Sequence, residues 1–331
     1  MRPYISDIGV YLPERIVTST ELETIINKKT KLLNAGSLER LFGVRERRYA
    51  EPNDQVSDLG ANAARSLVEK HGVIGIDCMI FASACSDLIE PATANIVHSK
   101  LGLQCPAFDV KNACNSFVTA LQIASSFIAS GVYKKILIIS GEKLSNTIRF
   151  EPADEFELKR GLASLSFGDA GSAVMVEPSK NGSGLYYQKF KTVGKHWGLC
   201  TIKGGGSMFP FDPGKNYFEG GTSELASVFV DEGGEFIHNC IWEAGWTLSD
   251  IDYVFTHQVS SRTIELVATV LGLPLEKVIR VSDVLGNVAA VSIPLSLYVA
   301  SQRGLLKHGS KVAIIGMAAG ISISVQLMVW H

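Results

Sequence analysis

Hydrophobic residues fall along this chain in two patterns. The first is short and continuous: Cys78-Met-Ile-Phe-Ala-Ser83 and Lys134-Lys-Ile-Leu-Ile-Ile-Ser-Gly141 are bounded runs of strand length. Such runs suit strands buried on both faces. Ile5 to Leu12 reads as an opening strand closed by Pro13, and Ala107 to Val110 as a short one. The second pattern has helical spacing. Leu59, Ala63 and Leu67 predict a helix over 56–71 with Ser57 or Asp58 as cap. Glu21 to about Asn27 predicts a short helix, and Glu90 to Gly102 another, with Pro91 in its first turn. From Phe117 to Gly131 nearly every face is apolar or small, the pattern of a helix enclosed by protein and ended by a left-handed glycine. Alternating buried strands and helices predict an α/β layered fold.

The intervening stretches are polar or irregular. Ser37 to Arg48 is a basic patch beside a glycine turn, either a solvated face or a contact for an acidic ligand. Phe150 to Arg160 reads as a charged surface excursion. Positions 181–221 are rich in Gly, Pro and aromatics around Lys203-Gly-Gly-Gly206. No helix with Lys-Ser/Thr follows the glycines, which argues against a phosphate loop and for a loop near a site mouth.

The second half repeats the first. Ser116 to Gly131 and Ala289 to Gly304 are small-residue-rich helices whose closing glycines stand 173 residues apart. Lys135-Ile-Leu-Ile-Ile-Ser-Gly141 has its counterpart in Lys311-Val-Ala-Ile-Ile-Gly-Met317, and Cys78 to Ser83 in Asp252 to His257. The repeat divides the chain into 1–175 and 176–331. It also pairs two helix starts, since the position 173 after Cys114 is Asn287. A thiol at a helix N-terminus is favoured as thiolate by the macrodipole, although a cysteine in an apolar setting is also an ordinary core residue. His257 ends a strand, where ligands meet α/β sheets. Taken singly, His257 is explained by a backbone partner and Asn287 by a helix cap. Together the three supply a nucleophile, a proton-handling base and a hydrogen-bond donor at matched positions.

Composition narrows the class. The 331 residues carry 31 basic and 33 acidic side chains for a net charge of −2, which argues against a nucleic-acid partner. No apolar run reaches the roughly 18 residues of a membrane span, and the N-terminus lacks a signal-peptide core. The six cysteines form no CxxC pair and do not cluster with the seven histidines, so neither metal nor a disulfide framework is expected. A cytoplasmic location is the expectation.

These residues resemble the β-ketoacyl-ACP synthase III family of thiolase-fold condensing enzymes. The likeness spans the chain and rests on Phe42-Gly-Val-Arg-Glu-Arg-Arg-Tyr-Ala, Asn112-Ala-Cys114-Asn-Ser-Phe, Phe167-Gly-Asp-Ala-Gly-Ser-Ala, His257-Gln258 and Gly286-Asn287-Val-Ala-Ala-Val-Ser-Ile-Pro. The resemblance implies a five-layered αβαβα fold of two pseudo-symmetric repeats, and a homodimer without cofactor. It implies an acyltransferase in lipid, fatty acid or polyketide biosynthesis, working on acyl-ACP or acyl-CoA thioesters. Cys114 would carry the acyl group and His257 and Asn287 would hold the second thioester. The backbone N–H groups of Cys114 and Gly320 would form the oxyanion hole. Arg262 keeps the family's basic contact for the acyl carrier protein. Ser37 and Leu41 stand where initiation enzymes clamp adenine, and Ser260 replaces the motif's Asn. Glu90, before Pro91, resembles the glutamate base of head-to-head acyl-condensing relatives in olefin and α-pyrone pathways, where it acts across the dimer; a solvent-facing or capping role is the alternative. These departures favour a specialised pathway over housekeeping initiation. Acyl transfer to an alcohol or amine, and an inactive subunit of a heterodimeric synthase, remain as further alternatives.

Overall fold

The computed structural model describes residues 2–331, apart from the side chains at 29, 30, 222 and 223. Its strands are β1 (Pro3–Tyr11), β2 (Arg15–Thr18), β3 (Glu46–Tyr49), β4 (Cys78–Ala82), β5 (Ala107–Val110), β6 (Ile136–Lys143) and β7 (Asp169–Pro178). They continue with β8 (Gly184–Thr192), β9 (Cys200–Ile202), β10 (Phe218–Gly220), β11 (Tyr253–Thr256), β12 (Lys311–Ala318) and β13 (Ser322–Val329). The helices are α1 (Ser19–Thr30), α2 (Ser37–Phe42), α3 (Val56–His71), α4 (Thr93–Leu101), α5 (Ser116–Ser130), α6 (Glu155–Gly161), α7 (Thr222–Glu243), α8 (Ser261–Leu271), α9 (Ser282–Leu285) and α10 (Ser292–Gln302).

One sheet runs β1-β7-β6-β4-β5 and the other β8-β13-β12-β11, so the repeat seen in the sequence becomes a matched strand order. In each, a parallel pair (β4 with β6, β11 with β12) adjoins an antiparallel neighbour, with β11 at the edge of its sheet. The apolar runs are buried on both faces because each face meets a different helix layer. On β6, Ile136 and Ile138 face α5 while Leu137 and Ile139 face α3 and α4. On β12, Val312 and Ile314 face inward while Ala313 and Ile315 meet α7 and α8. α5 and α10 lie between the sheets in one shared core of Phe117, Leu121, Ile293 and Leu297. The result is the expected five-layered αβαβα arrangement.

Several local expectations are corrected. α3 is capped by Gln55, with Asp58 reaching back to its backbone, rather than by Ser57 or Asp58. Pro91 follows a cis bond from Glu90 and precedes α4, so it is not in a helical turn. The charged excursion contains the helix α6, capped by the Asp154 side chain on Glu157 N. The basic patch is not uniformly solvated: Arg47 is fully buried and donates to the carbonyls of Val17 and Leu165 and to Ser19 Oγ. Gly204 in the glycine run packs against Asn216, whose Oδ1 lies 1.9 Å from where a Cβ would stand. Among the described residues, no helix is long and apolar enough to cross a membrane.

Candidate active site

Cys114 stands at the tip of a turn between β5 and α5, two residues before the first helical residue and therefore outside the first turn. The turn is drawn tight by Ser116 Oγ, which accepts from Asn112 N at 2.9 Å and donates to Ala113 O at 2.7 Å. Ala113 adopts φ +47°, a conformation that non-glycine residues visit at a cost and that tends to mark functional turns. Asn115 then reaches into the other half, donating from Nδ2 to Ser322 O at 2.9 Å and to Ser322 Oγ at 3.2 Å.

The matching helix start of the second half is held by the first half in return. Asn287 N donates to Ser166 O at 2.8 Å, and Gly168 N donates to Asn287 O at 3.0 Å. Gly286 and Gly168 are required here, because a Cβ on either would meet a backbone oxygen at 2.4 or 2.2 Å. Asn287 Oδ1 accepts from Ala289 N at 3.0 Å, which orients the amide and leaves Nδ2 as its donor end. Gly286, at φ +67°, is the repeat counterpart of Ala113, and Ala289 beyond Asn287 also has positive φ, +41°. His257 follows the end of β11, 3% exposed, beside the Ala289 backbone, with Nδ1 buried without a hydrogen-bond partner among the described residues. Gly320, at φ +78°, forms the tip of the β12–β13 hairpin and has open space where a Cβ would stand.

Cys114, His257, Asn287 and Gly320 line one cavity of about 1260 Å³. Its walls are mainly apolar, with Phe42, Leu144, Phe167, Phe218 and Phe229 among them, and Arg262 and Trp197 on exposed rim positions. Of the 181–221 stretch, which includes β8 and is not one loop, Lys203, Gly204 and Gly206 to Phe209 line one wall, as expected of its glycine run at a site mouth. Leu41 lines the cavity as well, whereas Ser37 instead bonds Glu23. Ser260 caps α8 by accepting from Thr263 N at 3.2 Å. Glu90 is exposed and does not line the cavity of its own chain, so a base role for it requires a second subunit.

The electrostatics depart from the local expectation. Burial pushes the Cys114 thiol up to about 12, with Glu142 and Cys200 adding to the rise. The resting thiol is therefore protonated near pH 7. Burial also holds His257 down at about 4, so its ring is neutral near pH 7 and free to accept a proton. The sequence reading missed Glu142, the penultimate residue of β6, which has no exposed surface and stands beside Cys85 and Cys114. The rule that singled out His257, a polar group at the end of a buried strand, applies equally to Glu142.

Two strand–helix repeats whose helix starts meet over an apolar cavity define a thiolase-like condensing enzyme. The chain matches the family model described as 3-oxoacyl-[acyl-carrier-protein (ACP)] synthase III over residues 108–194 and the C-terminal model of the same synthase over 241–330. It is 32% identical to the β-ketoacyl-[acyl-carrier-protein] synthase III of Neisseria meningitidis serogroup A, across 96% of each chain. It is 30% identical to that of Desulfitobacterium hafniense, across 97% of this chain and 96% of the relative. The crystal structure of the Aquifex aeolicus synthase III superposes with a TM-score of 0.87 at 27% identity, covering 99% of this chain and all of that one. In fold, cerulenin-bound OleA of Xanthomonas campestris is also similar, with a TM-score of 0.90 at 23% identity, covering 100% and 97% of the two chains. The chain belongs to the β-ketoacyl-[acyl-carrier-protein] synthase III family and is a condensing acyltransferase.

Proposed function

We propose that this enzyme joins two acyl thioesters by Claisen condensation through an acyl group on Cys114. The observation that carries the reading is the convergence of Cys114, His257, Asn287 and Gly320 on one apolar cavity. Neutral His257 takes the Cys114 proton as the sulfur attacks the thioester carbonyl, and returns it to the departing carrier thiol. The Cys114 and Gly320 N–H groups stabilise the oxyanion. A malonyl thioester then loses carbon dioxide, and its enolate oxygen is held by His257 and the Asn287 amide. The enolate carbon attacks the acyl carbonyl, the new carbon–carbon bond forms, and the Cys114 sulfur leaves and regains a proton. Arg262 on the rim suits an acidic carrier protein or a coenzyme A phosphate.

A second reading has one observation in its favour. Leu88 and Ile89, beside Glu90, are 52% and 83% exposed, which suits burial against a second copy of the chain. In such a homodimer Glu90 would enter the partner's cavity and deprotonate a thioester with no malonyl carboxylate, giving head-to-head condensation in a specialised lipid or polyketide pathway. Incubation with acyl-CoA or acyl-ACP followed by intact-protein mass spectrometry tests the shared first step. An acyl adduct is expected on the wild-type protein and none on Cys114→Ala; an unmodified wild-type protein would end both readings.

A further inference from the structure

Glu142 is fully buried at the end of β6, yet the condensation just described gives it no task. Its carboxylate accepts three backbone N–H groups from two separate segments. Ala84 N reaches Oε1 at 2.8 Å and Cys85 N reaches Oε2 at 3.1 Å, both from the turn after β4 that lines the cavity. Ala290 N reaches Oε1 at 3.4 Å from the start of the second-half helix. The neighbouring Ala289 belongs to the site: its N–H bonds Asn287 Oδ1, and its backbone stands beside the His257 ring. Ala289 is also at positive φ, a conformation that persists only where its surroundings hold it.

We propose that Glu142 is a positioning residue for the condensation: its buried carboxylate clamps the Ala84–Cys85 turn and the Ala289–Ala290 helix start together, and so keeps Asn287 and His257 in register with Cys114. The proposal rests on the Cys114 reading above. A carboxylate suits the task because it is an acceptor only, and all three partners are donors. A neutral acid would turn one of its oxygens into a donor facing them.

The clamp is therefore sensitive to pH. Burial raises Glu142 from 4.5 to about 6, against the opposing pull of the Ala84 and Cys85 hydrogen bonds. The titratable groups that act on it are Cys85 on the turn and Cys114 before α5; Lys143 is beside it on β6, Asp169 on β7 acts on Cys85, and His257 lines the same cavity as Cys114. Burial keeps both thiols protonated and His257 neutral down to about 4. Lys143 Nζ points elsewhere, onto the carbonyls of Glu51, Pro52 and Asp54. Burial also raises Asp169, which bonds Ser145 and Ala50. Because the folded pKa of Glu142 is raised, the stability linked to this group is fully present below 4.5 and lost as pH rises through about 6. Acidification thus disarms the clamp without unfolding the protein through it.

The test measures single-turnover acylation of Cys114 and steady-state condensation between about pH 5 and 8 for the wild type, Glu142→Gln and Glu142→Asp. Wild-type kcat should fall below pH ~6 while tryptophan fluorescence stays native. Glu142→Gln should lose ~10- to 100-fold in kcat with KM changed less than ~3-fold, and lose the acid limb as well. Glu142→Asp should recover part of the rate and keep the limb. A folded Glu142→Gln with wild-type kcat and an unchanged limb overturns the proposal. If that variant does not fold, a wild-type kcat that is flat from about pH 5 to 7 overturns it. A wild-type protein that never acylates Cys114 would instead sink the underlying reading, so the two failures are distinct.

Discussion

The two helix starts at the centre of this molecule are built alike and braced differently. Each places an alanine at positive φ near its polar residue, Ala113 beside Cys114 and Ala289 beyond Asn287, and each is held by the opposite half. The cysteine turn is tied across by a side chain, the Asn115 amide on Ser322. The asparagine turn is tied by backbone pairing with Ser166 and Gly168 and by the buried carboxylate of Glu142. One side must let a nucleophile accept and release an acyl group, while the other only has to hold donors still. The stiffer bracing lies with the donors, as expected where preorganisation stabilises developing charge.

Asn287→Ala probes that division most strongly. Condensation should fall by ~10²- to 10³-fold while Cys114 still acylates, with product and adduct followed separately. Equal loss of both steps would show that the two starts do not act apart. The protonation state of the cysteine side comes next. With the thiol pushed up to about 12, alkylation by iodoacetamide should climb with pH and reach no plateau below pH ~10, a gain of ~10²-fold from pH ~7 to ~9. A plateau near pH 8 would mean that the helix end outweighs burial after all. Asn115→Ala should be milder. Losing its bonds to Ser322 is expected to lower stability by ~1–3 kcal/mol and slow acylation about tenfold, visible as a lower Tm and a slower adduct. An unaltered Tm would show the cross-brace to be dispensable. The smallest effect is expected of Glu90→Gln with a malonyl thioester, less than ~3-fold in kcat. A large loss confined to substrates without the malonyl carboxylate would assign the base role to Glu90.

Two glutamates show where sequence reading stops. Glu90 stands before Pro91, a placement legible in the sequence, yet it is exposed on its own chain. Glu142 and Lys143 are two charged residues that follow the apolar run of β6. In the fold both are buried and diverge, the carboxylate toward Cys85 and the ammonium toward the carbonyls of Glu51, Pro52 and Asp54. Arg47 is a similar case, a member of a charge run that only the packing against Gly168 and Gly286 encloses. The apolar runs of β4, β6 and β12, by contrast, were legible because burial on both faces writes itself into consecutive residues.

The sequence by itself determined the alternation of buried strands and helices, the twofold repeat and the pairing of Cys114 with Asn287, since periodicity and repeat spacing are properties of the chain alone. It also marked His257 as a strand-end residue. The tertiary structure alone decided the chemical state of those residues and which groups hold them. A thiol pushed to about 12, an imidazole held near 4 and a carboxylate raised to about 6 are consequences of desolvation by segments far apart in the chain. Desolvation depends on what surrounds a side chain in space, and neighbours along the chain do not specify it.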